Sequence, residues 1–149
     1  MISLLRSDEP RVEQRAMNSD REDNATNQLL GDLEAAIMRL MWQKQEATVR
    51  EVAALLKQQD RVLAYTTVMT VMGRLVVKQL LSRELAGKTH IYRVAMTEDE
   101  FMRSVAAKRV QALVEEFGDL AIAHFLLTVN ELTPERQEAL ERIARGEIS

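Results

Sequence analysis

The chain has 149 residues, of which 46% are hydrophobic and only 4% aromatic, with no cysteine and a formal net charge of −3. That length suits one ordinary domain, or one small domain with a helical extension, and the core must be built from Leu, Val, Ala and Met. The missing cysteines exclude a disulfide framework, thiolate metal sites and a cysteine nucleophile, and no apolar run reaches the ~18 residues of a membrane-spanning helix.

Residues 1–28 open with Met1–Arg6 and pass at once into charged side chains, without the apolar stretch of a signal peptide. The polar run Asn18–Asn24 buries too little apolar surface to offset its ordering entropy, so 1–28 is expected to be a disordered tail. The expectation for the whole is a soluble cytoplasmic protein with no membrane insertion.

Order is expected from Leu30-Gly31-Asp32. Asp32 is placed to cap a helix whose apolar stripe is Leu33, Ala36, Ile37, Leu40 and Met41, closed by Trp42. Lys44–Ala47 reads as a polar break. Thr48-Val49-Arg50-Glu51 is a capping box, in which the Thr hydroxyl serves the third backbone amide and Glu51 reaches back. The short helix behind it buries Val52, Leu55 and Leu56 and runs out near Gln59-Asp60. Thr66 reads as the N-cap of a third helix over about 66–80, with Val68, Val71, Met72 and Leu75 inside.

The period then changes. Residues 81–86 and 89–94 read as strands around Gly87-Lys88, with Gly87 supplying the positive φ of a tight hairpin. Thr97-Glu98-Asp99-Glu100 is a second capping box, opening a helix to about residue 117 with Phe101, Val105, Ala106, Val110, Leu113, Val114 and Phe117 apolar. Gly118 ends it and Asp119 is placed to cap the next, which carries Leu120, Ile122, Phe125, Leu126 and Leu127. Thr133-Pro134 starts the last helix, with proline where its missing N–H costs nothing.

The fold class is therefore mainly α with a small β-hairpin: a winged helix-turn-helix domain over 29–95 and a helical dimerisation domain over 96–149. Charge follows the same division. Residues 31–95 carry 10 basic and 6 acidic side chains, whereas 96–149 carry 6 and 11. A basic middle between acidic ends points the middle at a polyanion. The third helix must be narrow and polar on its outer N-terminal face to enter a major groove. That face offers Thr66, Thr67, Met69, Thr70, Gly73 and Arg74, with Lys78 one turn beyond Arg74, and the hairpin adds Arg83, Lys88 and Arg93.

These residues carry a resemblance. Leu30–Met38 with Met41-Trp42, then Thr48–Val52, then Ala64-Tyr65-Thr66-Thr67-Val68-Met69-Thr70-Val71-Met72-Gly73-Arg74-Leu75, then Lys78–Arg83 with Tyr92-Arg93, together resemble the penicillinase repressor (BlaI/MecI/CopY) family of winged helix-turn-helix transcriptional regulators over about 30–145. The resemblance implies a repressor of antibiotic-resistance type that occupies palindromic double-stranded DNA as a homodimer. It also implies release through a cut made by a membrane sensor-protease, or through a metal. The copper-responsive branch uses C-terminal cysteine pairs, which this chain lacks. Some relatives carry a base-reading Arg where Met69 stands, so the operator differs, and the tail is longer than the family needs.

Read on their own, Phe101, Val105, Phe117, Phe125, Leu126 and Leu127 are more apolar surface than three short helices hide, which points to dimerisation. The resemblance places the cleaved region of relatives at His124-Phe125, although the same pair reads equally as buried core. No catalytic residue, cofactor or metal site is expected. His90 and His124 lack partner patterns, Ser82 and Ser104 lack a nucleophile elbow, Glu115-Glu116 and Asp119 read as a solvated acidic face, and no Gly-rich phosphate loop is present. Two other functions stay open: a winged-helix module that docks proteins, and a small-molecule-sensing regulator with an apolar pocket.

Overall fold

A computed structural model describes Thr26 and residues 30–147. The expected disordered tail, 1–28, lies outside the described residues except for Thr26, which is buried. The described residues form two compact units that divide after Glu98.

The first unit contains three helices and a small sheet. Helix α1 (Asp32–Lys44) is its centre, with Ala35, Ile37, Met38 and Met41 fully enclosed. Asp32 does not cap it. Gly31 occupies the N-cap without a side-chain bond, and Asp32, already inside the helix, instead pairs with Arg61 at 2.9 Å. The helix ends where Gln45 turns to φ 71. That turn redirects the chain into a short strand, β1 (Glu46–Ala47), inside the stretch expected to be a simple polar break.

Helix α2 (Val49–Gln58) starts with the expected capping box. The Thr48 hydroxyl accepts the Glu51 N–H at 3.2 Å, and the Glu51 carboxylate accepts the Thr48 N–H at 2.7 Å. Helix α3 (Tyr65–Val77) packs Val68, Val71, Met72 and Leu75 inward, against α1 and α2. Its start differs from the expectation: Ala64, in extended conformation, is the N-cap, and Thr66 lies within the first turn. It also stops earlier than residue 80, because Gln79 adopts φ 63 and breaks the ladder.

Strands β2 (Leu81–Ala86) and β3 (Thr89–Val94) pair from Leu81↔Val94 to Ala86↔Thr89, leaving Gly87-Lys88 as the turn. Gly87 sits at φ 64, a conformation costly for residues with a Cβ. The sheet order is β1-β3-β2. Tyr92 is buried in the middle strand opposite Ala47. The Trp42 indole N–H donates to the Met96 carbonyl at 3.0 Å, tying α1 to the exit of the hairpin.

The second unit is helical. Helix α4 (Glu98–Phe117) ends at Gly118, whose φ of 57 turns the chain. Helix α5 (Asp119–Asn130) has Gly118, not Asp119, at its N-cap. Helix α6 (Pro134–Ala144) is capped by Thr133, whose hydroxyl accepts the Arg136 N–H, with proline at its first position. Arg103 of α4 donates to the Ile143 carbonyl at the end of α6. Of the six apolar side chains singled out for dimerisation, Phe101 and Val105 are buried, whereas Phe117, Phe125, Leu126 and Leu127 are exposed. Neither α5 nor α6 buries a residue.

Candidate nucleic-acid interface

The order of elements in the first unit presents α3 on the surface, with its apolar side packed on α1 and α2. Opposite that side, Thr66, Thr67, Met69, Thr70 and Arg74 are exposed, so the expected reading face is brought together on one helix. The Thr70 hydroxyl donates to the Thr66 carbonyl one turn back at 2.9 Å. Its oxygen lone pairs remain as acceptors. Gly73 is half-buried in the helix, and a methyl built on it would meet nothing within 4 Å. No packing demand inside the protomer calls for a glycine there.

The cations divide into two groups. Arg74, Arg83 and Lys88 are exposed and make no ion pair among the described residues. Lys78 and Arg93 are already engaged. Lys78, just beyond the last turn of α3, pairs at 2.5 Å with Glu34, whose side chain is only 10% exposed. Arg93 lies across the sheet between two carboxylates, Glu46 on β1 at 3.0 Å and Glu84 on β2. The hydrogen bonds it donates to Glu84 first and Glu46 second hold its guanidinium more firmly protonated than usual. Spacing alone made Arg74 and Lys78 a phosphate grip and Arg93 a wing cation. Partners as far as 44 and 47 residues away hold Lys78 and Arg93, whose side chains stay about half-exposed.

A groove that the sequence did not reveal lies beside the reading face. It encloses about 270 Å³ and is lined by residues from three separate stretches, including Arg50 of α2, Tyr65 and Met69 of α3, and Lys88 and His90 of the hairpin. The second unit has a recess of its own, about 450 Å³ and almost wholly apolar, between α4 and α5. Phe117, Leu120, His124 and Phe125 line it. Among the described residues, no cluster of three or more His, Asp or Glu could hold a metal ion, and no helix is long and apolar enough to cross a membrane.

The Glu51 carboxyl of the capping box is held below the usual glutamate range, chiefly by the Thr48 N–H and then by the Thr48 hydroxyl. The charged form is thus part of how α2 is anchored beside α3.

The penicillinase repressor family matches residues 30–145. A transcriptional regulator BlaI of Mycobacterium tuberculosis is 39% identical over 118 residues, covering 76% of this chain and 80% of the relative. Among solved structures, a homodimeric winged helix-turn-helix DNA-binding domain from Mycobacterium bovis is 18% identical, with a TM-score of 0.41 over 76% of this chain and 93% of that one. A MarR family protein from Bacillus stearothermophilus is 15% identical, with a TM-score of 0.44 over 93% and 88%. The chain belongs to the penicillinase repressor family, and as a member it is a winged-helix, DNA-binding transcriptional regulator rather than an enzyme.

Proposed function

We propose that the chain is a homodimeric repressor acting in the cytoplasm, each protomer reading half of a palindromic operator with the exposed face of α3. The observation that carries this reading is the division of α3 into a buried apolar side and an outer side of threonines, Met69 and Arg74. A helix of that kind fits a major groove. Threonine methyls meet thymine methyls, hydroxyls meet base edges, and Arg74 meets phosphate. Arg83 and Lys88 add sequence-independent attraction from the wing.

The dimer is built by residues 96–149. Supporting it is the apolar surface of α4 and α5 that one protomer leaves in water, most of all Phe117, Leu120, Leu126 and Leu127. A two-fold pair of reading heads suits an inverted repeat with half-sites about 34–36 Å apart. Release is by proteolysis at His124-Phe125 by a membrane sensor-protease, a role suggested by family membership. The cut would detach half of α5 and all of α6, and each head would then hold its half-site alone.

Selection of bound duplexes from a random pool tests the function. Enrichment of an inverted repeat spaced by one helical turn is expected. A protein that retains no duplex, or enriches no repeat, overturns the reading. For release, the chain is recovered from cells that carry the cognate sensor and have been induced. A fragment ending at His124 is expected, and an intact chain in derepressed cells refutes the cleavage.

A further inference from the structure

The groove beside α3 is not explained by base reading. Its lining comes from the start of α2, the start of α3 and the tip of the hairpin, which only the fold brings together. Val49, Met69 and Tyr92 are its apolar members. Arg50, Lys88, His90, Thr48, Thr89 and Tyr65 supply its polar groups. None of the lining residues is acidic, in a chain whose acids outnumber its bases by 23 to 20. Arg50 and Lys88 make no ion pair among the described residues, unlike Arg93 on the same sheet. Two cations without ion pairs, an imidazole and a phenol therefore line one open space that no acidic residue lines, while the Thr48 hydroxyl is taken up by the Glu51 carboxylate behind the wall. The chemistry this suits is a phosphate: guanidinium and ammonium for its charge, hydroxyl and imidazole N–H for its remaining oxygens.

We propose that this groove seats a backbone phosphate of the operator, flanking the base pairs that α3 reads. The proposal rests on the DNA-binding reading above and names a contact that reading does not contain. Met69 belongs to both surfaces, lying on the reading face of α3 and on the wall of the groove. A strand whose bases meet α3 passes the groove with its backbone. The hairpin turn brings Lys88 to the same groove as Arg50. Arg50, Tyr65 and His90 are thus contact residues, and their contribution is to affinity and register, not to sequence preference.

The test uses full-length protein and two duplexes: one selected by the wild type from a random pool, and one of unrelated sequence. Each neutralised phosphate contributes about 0.9 to the slope of log affinity against log salt. Arg50→Ala should lower that slope by about 0.9 per protomer on both duplexes. Between 50 and 200 mM salt this amounts to about 3.5-fold of affinity per protomer. Arg50→Lys should restore the slope. Tyr65→Phe, which keeps the ring and removes the hydroxyl, should weaken both duplexes several-fold without altering which bases are preferred. An unchanged slope in Arg50→Ala, with wild type still binding its selected duplex, overturns the seat and leaves the DNA-binding reading standing. A wild type that binds neither duplex overturns the DNA-binding reading itself. The groove could instead take a free anion. Inorganic phosphate is therefore titrated while the His90 ring resonances are followed. Millimolar saturation abolished by Arg50→Ala, together with an unchanged DNA slope, would assign the groove to a small anion and refute the backbone seat.

Discussion

Leu120→Ala gives the most direct test of whether the second unit pairs with a second copy. Leu120 lies on the wall of the apolar recess and is 67% exposed in the protomer. Fully burying a leucine side chain is worth about 1.5–3 kcal/mol. With two-thirds of that still available, a partner covering Leu120 gains roughly 1–2 kcal/mol per copy. A two-fold interface presents the residue twice, so the substitution should cost the dimer about 2–4 kcal/mol. At 1.4 kcal/mol per factor of ten, the dissociation constant should rise by about 30- to 700-fold. Sedimentation equilibrium over a wide concentration range reads this directly. The near-ultraviolet signal of Trp42, in the first unit, should not change and serves as the folding control. A dissociation constant unmoved by Leu120→Ala would show that the recess is not covered by a second copy.

The other expectations concern the first unit. Lys78→Ala removes the cation from a nearly buried Glu34 and should lower stability by about 1–3 kcal/mol by denaturant titration, yet leave the salt slope of DNA binding unchanged; Arg74→Ala should do the reverse, lowering that slope by about 0.9 per protomer with little loss of stability. Thr70→Ala should alter which bases are preferred at one position by about 1–3 kcal/mol, and an unaltered preference would mean that a different face of α3 is in the groove. Thr48→Ala should destabilise by about 0.5–2 kcal/mol through loss of the N-cap. The Glu51 share of that box depends on pH. Because its pKa is lowered in the folded state, its stabilisation is present above the unfolded value of about 4.3 and is lost as pH falls through the lower folded value. The difference in Tm between wild type and Glu51→Gln should therefore shrink on acidification below about pH 4.3, and a gap that widens there contradicts the assigned cause.

Much of the first unit was legible because its signals are local. The capping box at Thr48, the apolar period of α3 and the two-residue turn at Gly87-Lys88 all depend on neighbours within a few positions. What was missed depends on distant partners. Strand β1 has two residues and no period of its own, and it exists because β3 offers a free edge to a chain turned by Gln45. Asp32, Thr66 and Asp119 are good capping residues by type. The preceding glycine takes the N-cap for Asp32 and Asp119, and for Thr66 the cap lies two residues earlier, so all three fall inside the first turn. Lys78 and Arg93 look like free cations until the fold brings Glu34, Glu46 and Glu84 to them. Arg50, Tyr65 and His90 gave no signal as a group because their stretches meet only when the hairpin folds beside α2 and α3.

The sheet order β1-β3-β2 leaves β2 hydrogen-bonded on one side only among the described residues. Unpaired backbone along a surface strand is an invitation for another chain to add itself, and such growth has no natural end. Here the strand is six residues long and carries Arg83 and Glu84 at its middle, with Ser82 before them. A second copy in antiparallel register centred on the strand would set Arg83 opposite Glu84, which Arg93 already holds, and these charged side chains would have to give up water. The edge is blunted by its shortness and by its charged, hydrated side chains.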